Sequence, residues 1–202
     1  MSSHDRIVDA AEECFTRFGV AKTTVEDVAQ AAGMSRATLY RNFAGGRDEL
    51  ILAVFLRDVE RFLDSLADRL ASLIGGPADG GTPGAEGLDG GEAVVDGIMA
   101  AVAFVQGEPR IAALLVPEAV GHTQAVVNQA SQRVLDLCAS RVEPYFDLAR
   151  EAGLVRADLD VAGVVELLFR MIASLSLSPL DRPEAETRRF LRLHVVPALI
   201  PS

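Results

Sequence analysis

The chain has 202 residues, with 19 Lys plus Arg against 29 Asp plus Glu and a formal net charge of -10. Half of it is hydrophobic, only 5% is aromatic and there is no Trp, which is enough apolar material for one or two packed domains and lies outside the disordered range. Taken alone, the acidic balance argues against a nonspecific nucleic-acid coat or a binder of anionic membranes.

All nine prolines lie at or beyond Pro77, so the first third of the chain lacks the strongest helix breaker. Ile7, Ala11, Cys14, Phe15 and Phe18 recur at three- and four-residue steps, a helical stripe ending at Gly19. Val25, Val28, Ala29 and Ala32 form a second stripe, and Leu39 and Phe43 begin a third. Thr23 with Glu26 and Thr24 with Asp27 both fit a capping box, so a helix starts there and stops at Gly33. Met34 can plug the turn, and Ser35 can cap a new short helix by bonding the amide near Thr38. Helix, short glycine turn, helix is the helix-turn-helix arrangement.

The second helix of such a pair enters a DNA major groove. Ser35, Arg36, Thr38, Tyr40, Arg41 and Asn42 are expected on its exposed side, with Ala37 and Leu39 facing inward. Arg36 suits bidentate contact with guanine, and Thr38 can reach a base edge or a thymine methyl. Tyr40 and Thr24 can hydrogen-bond phosphate, and Arg47 can add charge near the DNA backbone. Ordinary solvated charge is the competing reading of Arg36, Arg41 and Arg47.

From Arg47 an amphipathic stretch runs through Leu50, Val54, Phe55, Val59, Phe62, Leu66, Leu70 and Leu73. Residues 75–91 then hold eight of the seventeen glycines and read as a flexible linker. Helical patterns resume at about 92–106, 108–116, 123–152, 161–177 and 184–199, with Pro144 expected to kink or break the long one. No run of alternating β-branched residues appears, so the expected class is all-α.

Residues 7–50 resemble the DNA-binding domain of the tetracycline-repressor (TetR) family of bacterial transcriptional regulators. The matching elements are Ala10-Ala11, Phe15, Gly19, Thr23-Thr24, Val28-Ala29, Ala32-Gly33-Met34-Ser35, Thr38-Leu39-Tyr40, Phe43 and the stretch from Arg47 to Leu50. The chain departs from the family pattern in having Ala37 for Gly, Asn42 for an aromatic or His, and a connector, Ala44-Gly45-Gly46, one residue longer. The resemblance implies an N-terminal three-helix reading head (1–48), joined by a long helix to a larger helical domain (49–202) that binds an effector and dimerises. It implies a homodimer on double-stranded operator DNA, released as a repressor by an unknown small molecule, while the composition makes a reducing cytoplasm the default location.

Residues 161–177 are apolar nearly all round and, with 184–199, are the expected dimer surface; the central helix of a monomer is the alternative. Met99, Phe104, His122, Phe169 and Met171 are candidate lining for the effector site, each also explicable as core. Glu166 and Arg170 can form an intrahelical pair, cross the dimer interface or orient a ligand. No cofactor, metal or membrane span is expected. Cys14 and Cys138 cannot make a four-thiolate site, no apolar run reaches about 18 residues, and no signal peptide is read at the N-terminus. An enzyme is disfavoured because there is no G-x-S-x-G elbow and no histidine pair at metal spacing among His4, His122 and His194. A helical interaction or small-molecule-binding protein with a non-functional helix-turn-helix is the remaining alternative. Most of the acidic surplus falls after residue 50, so the charge excludes an indiscriminate binder rather than a sequence-specific reader.

Overall fold

The computed structural model describes residues 1–74, 89–107, 124–177 and 182–201. Among these residues every regular element is helical, as the hydrophobic periodicity predicts. The expected linker, apart from residues 89–91, the expected helix at 108–116 and candidate His122 lie outside the described residues.

The first helix, α1 (Ser3–Phe18), ends at Gly19, whose φ of 82° spares a Cβ strain. A 3-10 turn (Val20–Lys22) leads into α2 (Val25–Ala31) and α3 (Arg36–Asn42). The α2 stop is a Schellman closure: Met34 N–H donates to Ala29 O and Gly33 N–H to Gln30 O, with Gly33 at φ 65°. Arg6 fastens the same corner, donating to Ala32 O at 3.0 Å. Ile7, Ala11, Phe15, Val28, Leu39 and Phe43 are almost wholly buried together, with Met34 packed against them as the turn plug. Phe18 departs from its stripe: it is exposed, with Arg17 over its ring. Of the two possible capping boxes only Thr24–Asp27 forms, because Thr23 is buried and donates to Cys14 O and Gly19 O.

The long helix α4 (Arg47–Ile74) belongs to two cores. Leu50, Ile51 and Val54 complete the N-terminal cluster, while Leu52, Phe55, Val59 and Leu63 join the next one. The boundary expected at residue 48 therefore falls inside a continuous helix.

Beyond it, α5 (Gly90–Gly107), α6 (Gln124–Glu151) and α7 (Val161–Leu177) pack with α4, followed by α8 (Glu184–His194) and a short α9 (Val196–Leu199). Gly90 and Gly91, expected in the linker, instead open α5; Asp89 caps it by accepting Glu92 N–H at 3.2 Å. Pro144 does not break α6, which continues to Glu151. The stretch 184–199 is divided at Val195, because Pro197 cannot donate and its ring disfavours the preceding helical turn. Val95, Ile98, Val164 and Leu191 bury the junction of α5, α7 and α8. Arg188 ties α8 to α5 through Glu92 and Asp96.

Candidate DNA interface and effector cavity

The α2–α3 corner is built largely from local hydrogen bonds. Ser35 Oγ accepts Thr38 N–H at 3.1 Å and lies 3.0 Å from Thr38 Oγ1, which fixes the start of α3. Thr24 accepts Asp27 N–H, while Asp27 Oδ2 receives both Thr24 N–H (2.8 Å) and its hydroxyl (2.7 Å). These bonds hold the Asp27 carboxyl below its ordinary value. Thr24 is thus fully engaged as a cap, and a carboxylate occupies the α2 N-terminus.

On α3, Arg36, Tyr40 and Arg41 are exposed, whereas Thr38 and Asn42 are half-buried. Asn42 Nδ2 donates to Thr38 O at 2.8 Å, so the amide is tied to its own helix. Ala37, expected to face inward, is exposed instead and leaves Leu39 as the buried anchor of α3. Arg36 pairs with Glu26 of α2 at 2.5 Å, while Arg41 makes no hydrogen bond or ion pair among the described residues. Arg47 is turned the other way: Nε donates to Thr23 O (3.1 Å) and Nη2 to Val20 O (2.8 Å), latching α4 to the turn before α2. The longer connector closes on Gly46, at φ 61°, which sits against the Tyr40 ring; Glu49 accepts Gly45 N–H at 2.9 Å.

Behind the reading helix, Arg57 of α4 bridges Asp9 and Glu12 of α1 and donates to Val8 O at 3.1 Å. Arg61 reaches Glu12 at 2.7 Å. Partial burial pushes the Glu12 carboxyl up, but Arg61 and Arg57 more than offset this and leave it below its ordinary value.

The larger domain holds a partly open cavity of about 310 Å³. Phe55, Val59, Phe62 and Leu63 of α4 form one wall, and Gly97, Ala101 and Phe104 of α5 another. Val134, Cys138 and Phe146 of α6, with Val165, Phe169 and Ile172 of α7, complete most of it. Phe62 and Phe104 stack on each other at 4.6 Å. Of the candidate effector residues, Phe104 and Phe169 line this cavity. Met99 and Met171 do not; both pack into the α5–α7–α8 core. Sequence reasoning missed the α4 wall, whose signal is an apolar stripe too long for one small core to use. Glu166 and Arg170 form the intrahelical pair, at 2.6 Å on an exposed face.

Residues 7–54 match the family model of bacterial regulatory proteins of the tetR family. That match makes residues 7–54 a TetR-type helix-turn-helix domain. A helix-turn-helix transcriptional regulator of Mycobacterium tuberculosis (strain ATCC 25618 / H37Rv) is 40% identical over 70 residues, 35% of this chain and 34% of that protein. The chain thus spans about a third of that relative's length. The regulator AlkX of the same strain is 25% identical over 179 residues, 89% of this chain and 75% of that one. Among solved structures, the TetR-family repressor AlkX of Dietzia sp. strain DQ12-45-1b, implicated in biodegradation of n-alkanes, superposes with TM-score 0.64 and 22% identity, covering 97% of this chain and 94% of that chain. Thermus thermophilus FadR, a repressor in complex with lauroyl-CoA, gives TM-score 0.62 and 20% identity, covering 94% and 93%. These structural likenesses show the fold. Among the described residues, no helix is long and apolar enough to cross a membrane, and no group of His, Cys, Asp and Glu could hold a metal ion.

Proposed function

We propose that the chain is a cytoplasmic, sequence-specific transcriptional regulator, a repressor whose hold on operator DNA is released by a small-molecule effector. Residues 1–48 supply the reading head, and 49–202 bind the effector and dimerise. The observation that carries this reading is the exposed face of α3, where Arg36, paired with exposed Glu26, and Ala37, Tyr40 and Arg41 reach solvent from a closely packed head. Arg36 and Arg41 are the base- and phosphate-reaching cations. Ala37, Thr38 and Tyr40 add methyl, hydroxyl and phenol contacts, and Ser35, Asn42, Thr24 and Arg47 hold the face in position.

Leu167 on α7 and Phe190 and Leu193 on α8 are large apolar side chains left exposed, which supports pairing of two copies through these helices. Such a dimer sets two reading heads about 34–36 Å apart on a two-fold symmetric operator. Ligand in the cavity, which α4 helps to line, alters that spacing by favouring one of two conformations.

Mobility shift on the DNA upstream of its own gene, at stated salt, tests the reading. Arg36→Ala is expected to weaken specific binding by about 1–3 kcal/mol and relax selectivity at one base pair. Specific binding unchanged in Arg36→Ala and Arg41→Ala together would defeat the assignment of α3. A monomer by light scattering at micromolar concentration would defeat the dimer.

A further inference from the structure

We infer that the cavity takes an unbranched aliphatic chain, held by its hydrocarbon alone, with any charged or strongly polar end kept outside. This rests on the reading of residues 49–202 as the effector domain. Among the described residues, the side chains lining the cavity are aliphatic or aromatic except for the thiol of Cys138, and none of them brings a hydroxyl, amide or ion to the wall. Burial pushes that thiol up to about 11, so it stays neutral and cannot balance a cation. The ion pairs on the surrounding helices, Asp64 with Arg141 and Glu166 with Arg170, are exposed and satisfied by each other. An ionised or hydroxyl-rich ligand placed inside would lose its water and gain no hydrogen bond.

The shape also favours a chain. Ala93, Gly97 and Ala101 line the cavity at four-residue steps along one face of α5, a trough of small residues about 12 Å long. Beside it the α4 lining runs from Phe55 to Leu66, with Phe62 against Phe104 and Leu66 next to Gly97, so the two helices together present an apolar strip along their length. Phe62 and Phe104 already stack on each other at an interplanar angle of 15°, which uses two ring faces that a flat aromatic ligand would need. The chain can come from a free neutral lipid or from an acyl group carried on a larger polar molecule; the hydrocarbon is the shared chemistry.

Calorimetric titration of the full chain with hexanol, octanol, decanol and dodecanol tests this. Each added methylene is expected to tighten Kd about fourfold until the trough is full. Dodecanedioate, which cannot keep both charged ends outside, is expected to bind at least about tenfold more weakly than dodecanol. A lauroyl thioester beside dodecanol distinguishes the sources: tighter binding of the thioester assigns an acyl carrier, and tighter binding of the alkanol assigns a free lipid. Gly97→Leu and Ala173→Leu each fill the trough; a Cβ at Gly97 meets Leu66 only at an ordinary 4.0 Å. Both variants, checked for unchanged helicity by circular dichroism, should bind dodecanol at least about tenfold more weakly.

Affinity independent of chain length, a dicarboxylate binding as tightly as the alkanol, or folded Leu variants binding like the wild type would overturn the inference. Operator binding, measured separately, keeps the two readings apart. Chain-length-dependent binding without loss of operator affinity leaves the inference standing and defeats the effector role. An operator-binding dimer that takes up no chain defeats the inference and leaves the regulator intact.

Discussion

The reading head and the larger domain solve opposite packing problems. Ile7, Ala11 and Leu39 have no exposed surface, and the corners around them are closed by Thr24, Ser35, Gly33, Arg6 and Arg47. In the larger domain much of the apolar material, Phe62, Phe104, Phe169 and Ile172 among it, is only half-buried and faces a void. Close packing resists any change of shape, whereas a wall of partly packed side chains can move apart at modest cost. Under the proposed function, a rigid head would preserve the geometry of base contacts, and a compliant domain would leave room for a ligand to choose between conformations.

Truncations offer the strongest way to break this contrast. Leu39→Ala is expected to lower stability by about 2–5 kcal/mol in denaturant unfolding, while Ile172→Val in the cavity wall should cost about 1 kcal/mol. Equal costs, after allowance for the methylenes removed, would mean that the two regions are packed alike. Arg47→Met comes next, removing two charge-assisted bonds to Val20 O and Thr23 O. A loss of about 2 kcal/mol is expected, and Arg47→Lys should restore only part of it because a single ammonium nitrogen replaces the separate Nε and Nη2 donors that reach the two carbonyls. DNA affinity should fall in step, although Arg47 faces away from α3. Thr24→Ala should cost about 1 kcal/mol through the lost cap, read by thermal unfolding.

A smaller difference is pH-dependent. The folded carboxyl of Glu12 lies below its ordinary value of 4.5, so its stabilising effect is complete above that pH. It is lost as pH falls through the lowered folded value, and acid titration of Glu12→Gln should lack this component. Smallest is Glu26→Gln, which frees Arg36 from an exposed pair and should tighten operator binding by no more than about fivefold. Weaker binding would show instead that Glu26 positions Arg36 for the groove.

The head was legible wherever its determinants are local. Gly19, Thr24 with Asp27, Gly33 and Ser35 act within three or four residues, so spacing alone announces them. Ala37 misled because an alanine between polar neighbours carries no facing signal, and the helix phase set by buried Leu39 turns it outward. Long-range partners were not legible: Arg36 finds Glu26, Arg47 finds Val20 and Thr23, and Arg57 finds Asp9 and Glu12 only once the helices cross. Met99 and Met171 lie on lining helices but on faces turned into the core, which composition cannot reveal. Phe104 and Phe169 had nothing in their residue type to set them apart from the two methionines.

The sharing of α4 between two cores bears on how such proteins can be recombined. From Arg47 to Ile74 the helix contains no glycine or proline at which to bend, and Leu50, Ile51 and Val54 are structural parts of the head. A fragment ending at residue 48 would leave Leu39 and Phe43 with one side uncovered. Exchange of reading heads between relatives would therefore need its seam after Val54. The crossover would then fall where Phe55 and Val59 begin the cavity wall, so under the proposed function a new DNA specificity could not be acquired without also setting the register of the helix that would meet the ligand.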